Sequence, residues 1–241
     1  MSRSFTLADP RALDDLQLYL ARATRIEEGS VRLVAGGGVL AVYVAALSPA
    51  GLTDEMPTVL GLRVVRILET EGLDAVVPLA ALRGRLDRAQ EERDLGASPA
   101  GPEDAPAGAR ISLPHEAPSV VWAAISPPRG GWQAQGPIET GMLERVAREG
   151  IAEVAAAVPE AAGEQIVRRV RSEVWGRPIP GAEHLPAGAA FAALGLGFLG
   201  PSDASGDLAA ALESYETGTW TRLSSPRGHI LVKRRAWTLS R

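Results

Sequence analysis

The chain has 241 residues, enough for one large domain or two small ones, and its 46% hydrophobic and 22% charged content is that of a globular protein. A formal net charge of −4 supplies no overall basic field for nucleic acid or an anionic membrane. The lack of cysteine removes disulfides, thiolate nucleophiles and zinc–sulfur sites together.

The opening residues lack the charged-then-apolar pattern of a secretory signal, and no apolar run approaches the roughly 20 residues that span a bilayer. We therefore expect a soluble, cytoplasmic protein. Arginine and alanine are abundant, with a single lysine and no asparagine, as in a GC-rich coding sequence. Arginine clusters are correspondingly weaker evidence here.

Asp9 and Pro10 read as an N-cap followed by proline in the first helical turn. Leu13, Leu16, Leu20 and Ala23 then share one face, which predicts a helix over 10–25. Apolar β-rich runs at 31–35 and 39–47, joined by Gly36, Gly37 and Gly38, predict a hairpin. As a phosphate loop the triple glycine lacks both the Lys-Ser/Thr of a P-loop and the Gly-x-Gly-x-x-Gly spacing. Strands are expected over 58–68 and 73–77, then a helix over 79–93 with Leu79, Leu82 and Leu86 in phase. Residues 95–108, rich in proline, glycine and alanine, read as an exposed, mobile linker. The domains expected are a helix-plus-strands unit over 1–93, a flexible linker over 94–109 and a helical unit with a terminal hairpin over 110–241. Whether the two halves form one domain stays open.

In the second half a strand is expected over 119–125. Helices follow over 139–157, with Leu143, Val146, Ala147, Gly150, Ile151, Val154 and Val158 as the apolar stripe, and over 161–175, with Ile166, Val170 and Val174 buried. The run 186–199 is apolar nearly all round and reads as a buried helix, too short to cross a membrane. Segments 220–224 and 229–233 close the chain as a hairpin with a basic, aromatic tail. The fold class expected is α+β, a mainly antiparallel sheet with helices packed on one side.

One phrase occurs twice. Trp122, Ile125, Ser126, Pro128, Arg129 and Gly130 repeat as Trp220, Leu223, Ser224, Pro226, Arg227 and Gly228, in the pattern Trp-x-x-[Ile/Leu]-Ser-x-Pro-Arg-Gly. Proline presets the first corner of a turn and glycine tolerates the angles that follow. Two such turns on one rim would gather Ser126, Arg129, Ser224, Arg227 and His229 into an anion cradle, because the arginine fork donates two parallel hydrogen bonds to carboxylate or phosphate. Two hairpin corners with no shared role are the plainer reading. Trp132 and Trp237 are the tryptophans expected to lie partly exposed, as interface anchors.

Other chemistry finds little support. His115, His184 and His229 sit in no metal-binding spacing, no nucleophile elbow is present, and no metal or cofactor is expected. Three helices followed by a hairpin is the element order of a winged helix, with Arg222, Arg227, Lys233, Arg234, Arg235 and Arg241 on or near the wing. The helix that would enter the groove, 186–199, carries no side chain able to read a base edge, so nucleic acid ranks last among the partners.

The segments 121–132, 150–158, 174–178, 186–193 and 220–231 resemble an uncharacterised family of actinobacterial proteins, and the likeness runs most of the chain. The resemblance implies no activity, cofactor or partner. The leading expectation is a non-enzymatic binding or protein-interaction protein that forms a homo-oligomer. The alternatives are a small-anion binder or enzyme built on the two Ser-x-Pro-Arg-Gly turns, and a winged-helix DNA-binding protein.

Overall fold

The computed structural model describes residues 3–51, 54–68, 72–96, 108–118, 120–159, 163–200 and 211–234. The fold is α+β, and its sheets are mainly antiparallel. The chain divides into two compact units, residues 1–44 with 62–124 and residues 45–61 with 125–241.

The first unit holds β1 (Ser4–Thr6), α1 (Arg11–Ile26), β2 (Ser30–Gly36), most of β3 (Val39–Leu47), the second half of β4 (Thr58–Arg66), β5 (Leu73–Pro78), α2 (Leu79–Gly96) and β6 (Arg110–Ser112). Asp9 starts α1 by accepting the Arg11 N–H at 2.8 Å. The expected face, Leu13, Leu16, Leu20 and Ala23, is buried, and Tyr19 joins it. Between β2 and β3, Gly37 and Gly38 have φ of 61° and 75°, so the glycines make a two-residue hairpin corner that leaves no phosphate loop.

Register explains the core. Val77, Val31 and Val44 form one cross-strand row, Ala75, Leu33 and Val42 the next, Leu73, Ala35 and Leu40 the third, and all nine are buried. Burying one such valine or leucine contributes about 1.5–3 kcal/mol. Leu79, Leu82 and Leu86 bury the face of α2, which packs on α1. On the opposite face of β2, Arg32 donates through Nε and Nη2 to Asp74 (2.9 and 2.7 Å) and through Nη1 to the Ala123 carbonyl (2.7 Å).

The short β1–β6 pair went unforeseen, because three residues carry no periodicity. Residues 97–107 of the expected linker lie outside the described residues. A second departure is at 121–124, a single 3-10 turn where a strand was expected.

The second unit holds β7 (Gln133–Glu139), α3 (Thr140–Ala157), α4 (Glu164–Gly176), the hairpin β8 (Pro178–Ile179) and β9 (Ala182–Pro186), α5 (Ala187–Gly195), β10 (Ala211–Thr217), β11 (Trp220–Ser225) and β12 (Gly228–Lys233). Its strand order is β12-β11-β10-β7, antiparallel throughout.

The helices pack around one tryptophan. Trp175 is buried and stacks on Phe191 at 4.4 Å between ring centres, and a Cβ at Gly150 would collide with its ring. Gly150 therefore carries the contact of α3, which is why Ile151, one residue on, stays exposed instead of joining the stripe as expected. Ile166, near the start of α4, is likewise exposed, and burial in that helix begins only near Ser172.

The apolar helix α5 is buried as expected, yet it ends at Gly195 instead of 199. Gly197 adopts φ of 75°, its N–H donates to the Leu194 carbonyl and the Phe198 N–H to that of Ala193, so a left-handed glycine closes the helix early.

Candidate functional site

The two copies of the repeated phrase fold differently. In the second, β11 runs into a two-residue corner at Pro226 and Arg227 and returns as β12, with Ser225 opposite Gly228. The Ser225 hydroxyl closes the corner by accepting the Arg227 N–H (3.1 Å) and donating to the Gly228 carbonyl (3.3 Å). The first copy has Pro127 where the second has Ser225. A second proline removes a backbone donor and that hydroxyl together, so Ser126, Pro127 and Pro128 stay outside any strand.

Register also separates the copies. Gln133 of β7 lies opposite Glu216 of β10, so the loop before it extends past the β10–β11 corner, and Thr217 is the side chain nearest a Cβ on Gly131. Pro226 and Arg227 lie at the other end of β11, six residues and about 20 Å away at the usual rise of a strand. Gly131 thus sits at the β10–β11 corner, whereas Ser224, Arg227 and His229 lie toward the opposite end of β11. What the structure does join is Ser224 and His229, cross-strand partners whose Oγ and Nδ1 lie 2.9 Å apart.

Alternation along β11 defines the faces. Thr221 and Leu223 are buried with Leu212, Ser214, Ile230 and Val232. The outer face carries Trp220, Arg222 and Ser224, opposite Thr217, Tyr215 and Glu213 of β10 and opposite Lys233, Leu231 and His229 of β12; Trp220 and Leu231 are themselves buried, so its open part centres on Arg222, Ser224, His229, Tyr215 and Glu213. Trp132 enters this face from the loop, its Nε1–H donating to the Pro128 carbonyl at 3.2 Å, and it is half-buried.

Arg222 is the centre of the face. Its guanidinium carbon lies 4.6 Å from the ring centre of Trp132 and 4.6 Å from that of Tyr215. A cation is attracted to the negative face of an aromatic ring, most strongly where water is displaced. The rings supply π electrons but no lone pair, so among the described residues the guanidinium has no hydrogen-bond partner. Nε is buried without a partner, and among the described residues Arg222 forms no ion pair. Burial pushes the Arg222 pKa down and the Tyr215 hydroxyl pushes it partly back.

Tyr215 and Arg222 were missed as site residues. The alternation of Trp220, Arg222 and Ser224 already sets them on one face, but Tyr215 enters only with the register of β10, a strand not foreseen. Trp237 lies outside the described residues, as do Arg235 and Arg241. Arg234 pairs with Glu216 at 3.0 Å and donates to the Gly218 carbonyl. The winged-helix arrangement is not present in the described elements, since α5 is a core helix and its hairpin joins a sheet with β7 and β10.

A cavity of about 610 Å³ lies between residues 50–55 and α4, but its cations are engaged, Arg168 with Glu164 and Asp54 and Arg169 with Glu173. Among the described residues no group of three or more His, Asp or Glu side chains could hold a metal, and no helix is long and apolar enough to cross a membrane.

Residues 1–105 match the domain of unknown function DUF8010, and residues 127–237 match the domain of unknown function DUF8185, in keeping with the resemblance to proteins of unknown function. No curated protein matches the chain. Among solved structures it is similar to the Caulobacter crescentus pol III beta, with 11% identity, a TM-score of 0.48 and coverage of 99% of this chain and 66% of that one. It is similar to the DNA polymerase sliding clamp from Caulobacter crescentus, with 13% identity, a TM-score of 0.47 and coverage of 99% and 67%. It is also similar to the DNA polymerase III subunit beta from Pseudomonas aeruginosa, with 14% identity, a TM-score of 0.44 and coverage of 99% and 66%. The chain spans about two thirds of the length of these structures.

Proposed function

We propose that this is a non-enzymatic binding protein that recognises another protein through the outer face of β10, β11 and β12, with Arg222 as the anchor. The observation that carries the reading is the arginine itself, partly desolvated and held by two aromatic rings, with no hydrogen-bond acceptor for its guanidinium among the described residues. Tryptophan, tyrosine and arginine dominate the binding energy of protein interfaces, because they present large area at little entropic cost and pair polar tips with apolar bodies. The rings already desolvate part of the guanidinium, so an acceptor brought to its open Nη1 and Nη2 end adds charge-assisted hydrogen bonds at little further cost in lost hydration.

Affinity capture from an extract of the source cells, run in parallel with wild type, Arg222→Lys and Trp132→Ala, tests the reading. The expected result is a partner held by wild type and retained at least about tenfold less by either variant, as for truncation of an interface anchor. Retention of the same proteins by all three would overturn it. A native mass spectrum of the purified chain reads separately whether that partner is a second copy.

A further inference from the structure

We infer that the group Arg222 receives is a carboxylate, carried by an acidic segment of the partner protein. The inference rests on the reading of the outer face as a protein-recognition surface, and it follows from what the arginine has already declined.

Glu213 lies on the same face, diagonally across β10 from Arg222, within the reach of such side chains, yet the two form no ion pair. The guanidinium lies against Trp132 and Tyr215 instead. Nε is buried and out of reach of a ligand in solution, so the end of the fork formed by Nη1 and Nη2 is the part left to meet one. Two parallel N–H groups match the two oxygens of a carboxylate, a planar acceptor that continues the plane of the guanidinium.

The neighbours favour an extended acidic segment over an isolated acid. Along β11 the outer positions 222 and 224, next to the buried Trp220, stand about 6.6 Å apart, the spacing of alternate residues in any extended chain. Lys233 stands opposite Trp220 at one end of the row, and the Ser224–His229 pair stands at the other. Acidic side chains at every second position of an extended partner would place one carboxylate on Arg222 and bring the next toward Lys233 or toward Ser224 and His229.

The test is the binding of a capped, fluorescein-labelled peptide, Glu-Gln-Glu-Gln-Glu, followed by anisotropy at low salt, with an all-glutamine peptide and free glutarate for comparison. The expected result is saturable binding of the acidic peptide, weakened at least about tenfold in Arg222→Lys, which keeps the charge and loses the fork. The all-glutamine peptide should bind at least about tenfold more weakly, and glutarate should displace the acidic peptide only at far higher concentration. Trp132→Ala, a loop position, gives a second variant with the same expected loss if Arg222→Lys does not fold.

Equal binding by wild type and both variants, or by both peptides, would overturn the inference. Displacement by glutarate at the peptide's own concentration would also overturn it, in favour of a small free acid. If the peptide does not bind while partner capture still depends on Arg222, the carboxylate is wrong and the recognition surface stands. If capture is equally indifferent to Arg222, both fall.

Discussion

Two half-buried arginines, each in the middle of a strand, meet opposite treatment in the two units. Arg32 of β2 is fully engaged, bound through both sides of its fork to Asp74 and by a third bond to the Ala123 carbonyl, and the Asp74 hydrogen bond holds its pKa up. Arg222 of β11 has rings where Arg32 has acceptors, and burial holds its pKa down. The same residue type is a staple in one unit and, among the described residues, a donor without a hydrogen-bond partner in the other. The difference lies in what stands across the strand: aspartate two residues along from the position opposite Arg32, and tyrosine directly opposite Arg222. In the first, hydrogen bonds are made within the fold. In the second, the described residues supply none.

If that contrast is right, the stability of the second unit should reside in its tryptophan-centred core and not in its outer face. Gly150→Val drives a side chain into the Trp175 ring and should cost about 3 kcal/mol, the upper range for overpacking. Denaturant unfolding with near-ultraviolet circular dichroism reads the loss, and an unchanged midpoint would place the core elsewhere. Next in size, Arg32→Met removes three charge-assisted hydrogen bonds at a partly exposed site and should cost about 2 kcal/mol. For a chain of this length that is a fall in Tm of roughly 4–8 °C.

Arg222→Met should shift stability by less than about 1 kcal/mol in either direction, because the lost ring attraction is offset by removal of an unpartnered buried donor. A loss as large as that of Arg32→Met would make both arginines staples and end the comparison. The smallest effect concerns the buried Tyr19, whose hydroxyl donates to the Val42 carbonyl at 3.4 Å. Burial raises its pKa well above the ordinary value near 10, against an opposing pull from Arg63. With the folded pKa above the unfolded one, the unfolded chain releases the proton first, so stability holds below about pH 10 and declines as pH rises further. Tyr19→Phe should cost less than about 1 kcal/mol at neutral pH, and its stability should fall less steeply than wild type above pH 10. Parallel pH profiles would refute the assignment.

The sequence carried the first unit well because its elements announce themselves locally. Leu13, Leu16 and Leu20 keep helical phase, and the β2–β3 hairpin has glycines at both positive-φ positions. The second unit was legible in its helices and final hairpin, but β7 and β10 were missed, since Gln133, Gln135, Glu213 and Tyr215 alternate without an apolar signal strong enough to read as strand. Losing β10 lost the cross-strand partner of Arg222, and with it the centre of the site. The repeated phrase misled for a related reason: identical letters at Ser126 and Ser224 said nothing about Pro127 against Ser225, the position that decides whether a hairpin corner can close. Trp132 was expected as a partly exposed tryptophan, and it lies against Arg222, which was itself read only as one basic residue among several.

Lys233 is the single lysine of the sequence, and it stands on the outer face, across from Trp220 and two places along β12 from the residue opposite Arg222. An amine-directed crosslinker therefore meets one side-chain nucleophile in this sequence, beside the proposed contact. Each crosslinked peptide formed through that side chain would map a position on the partner to one point of the sheet, so the chain carries its own surveying mark for locating whatever docks there.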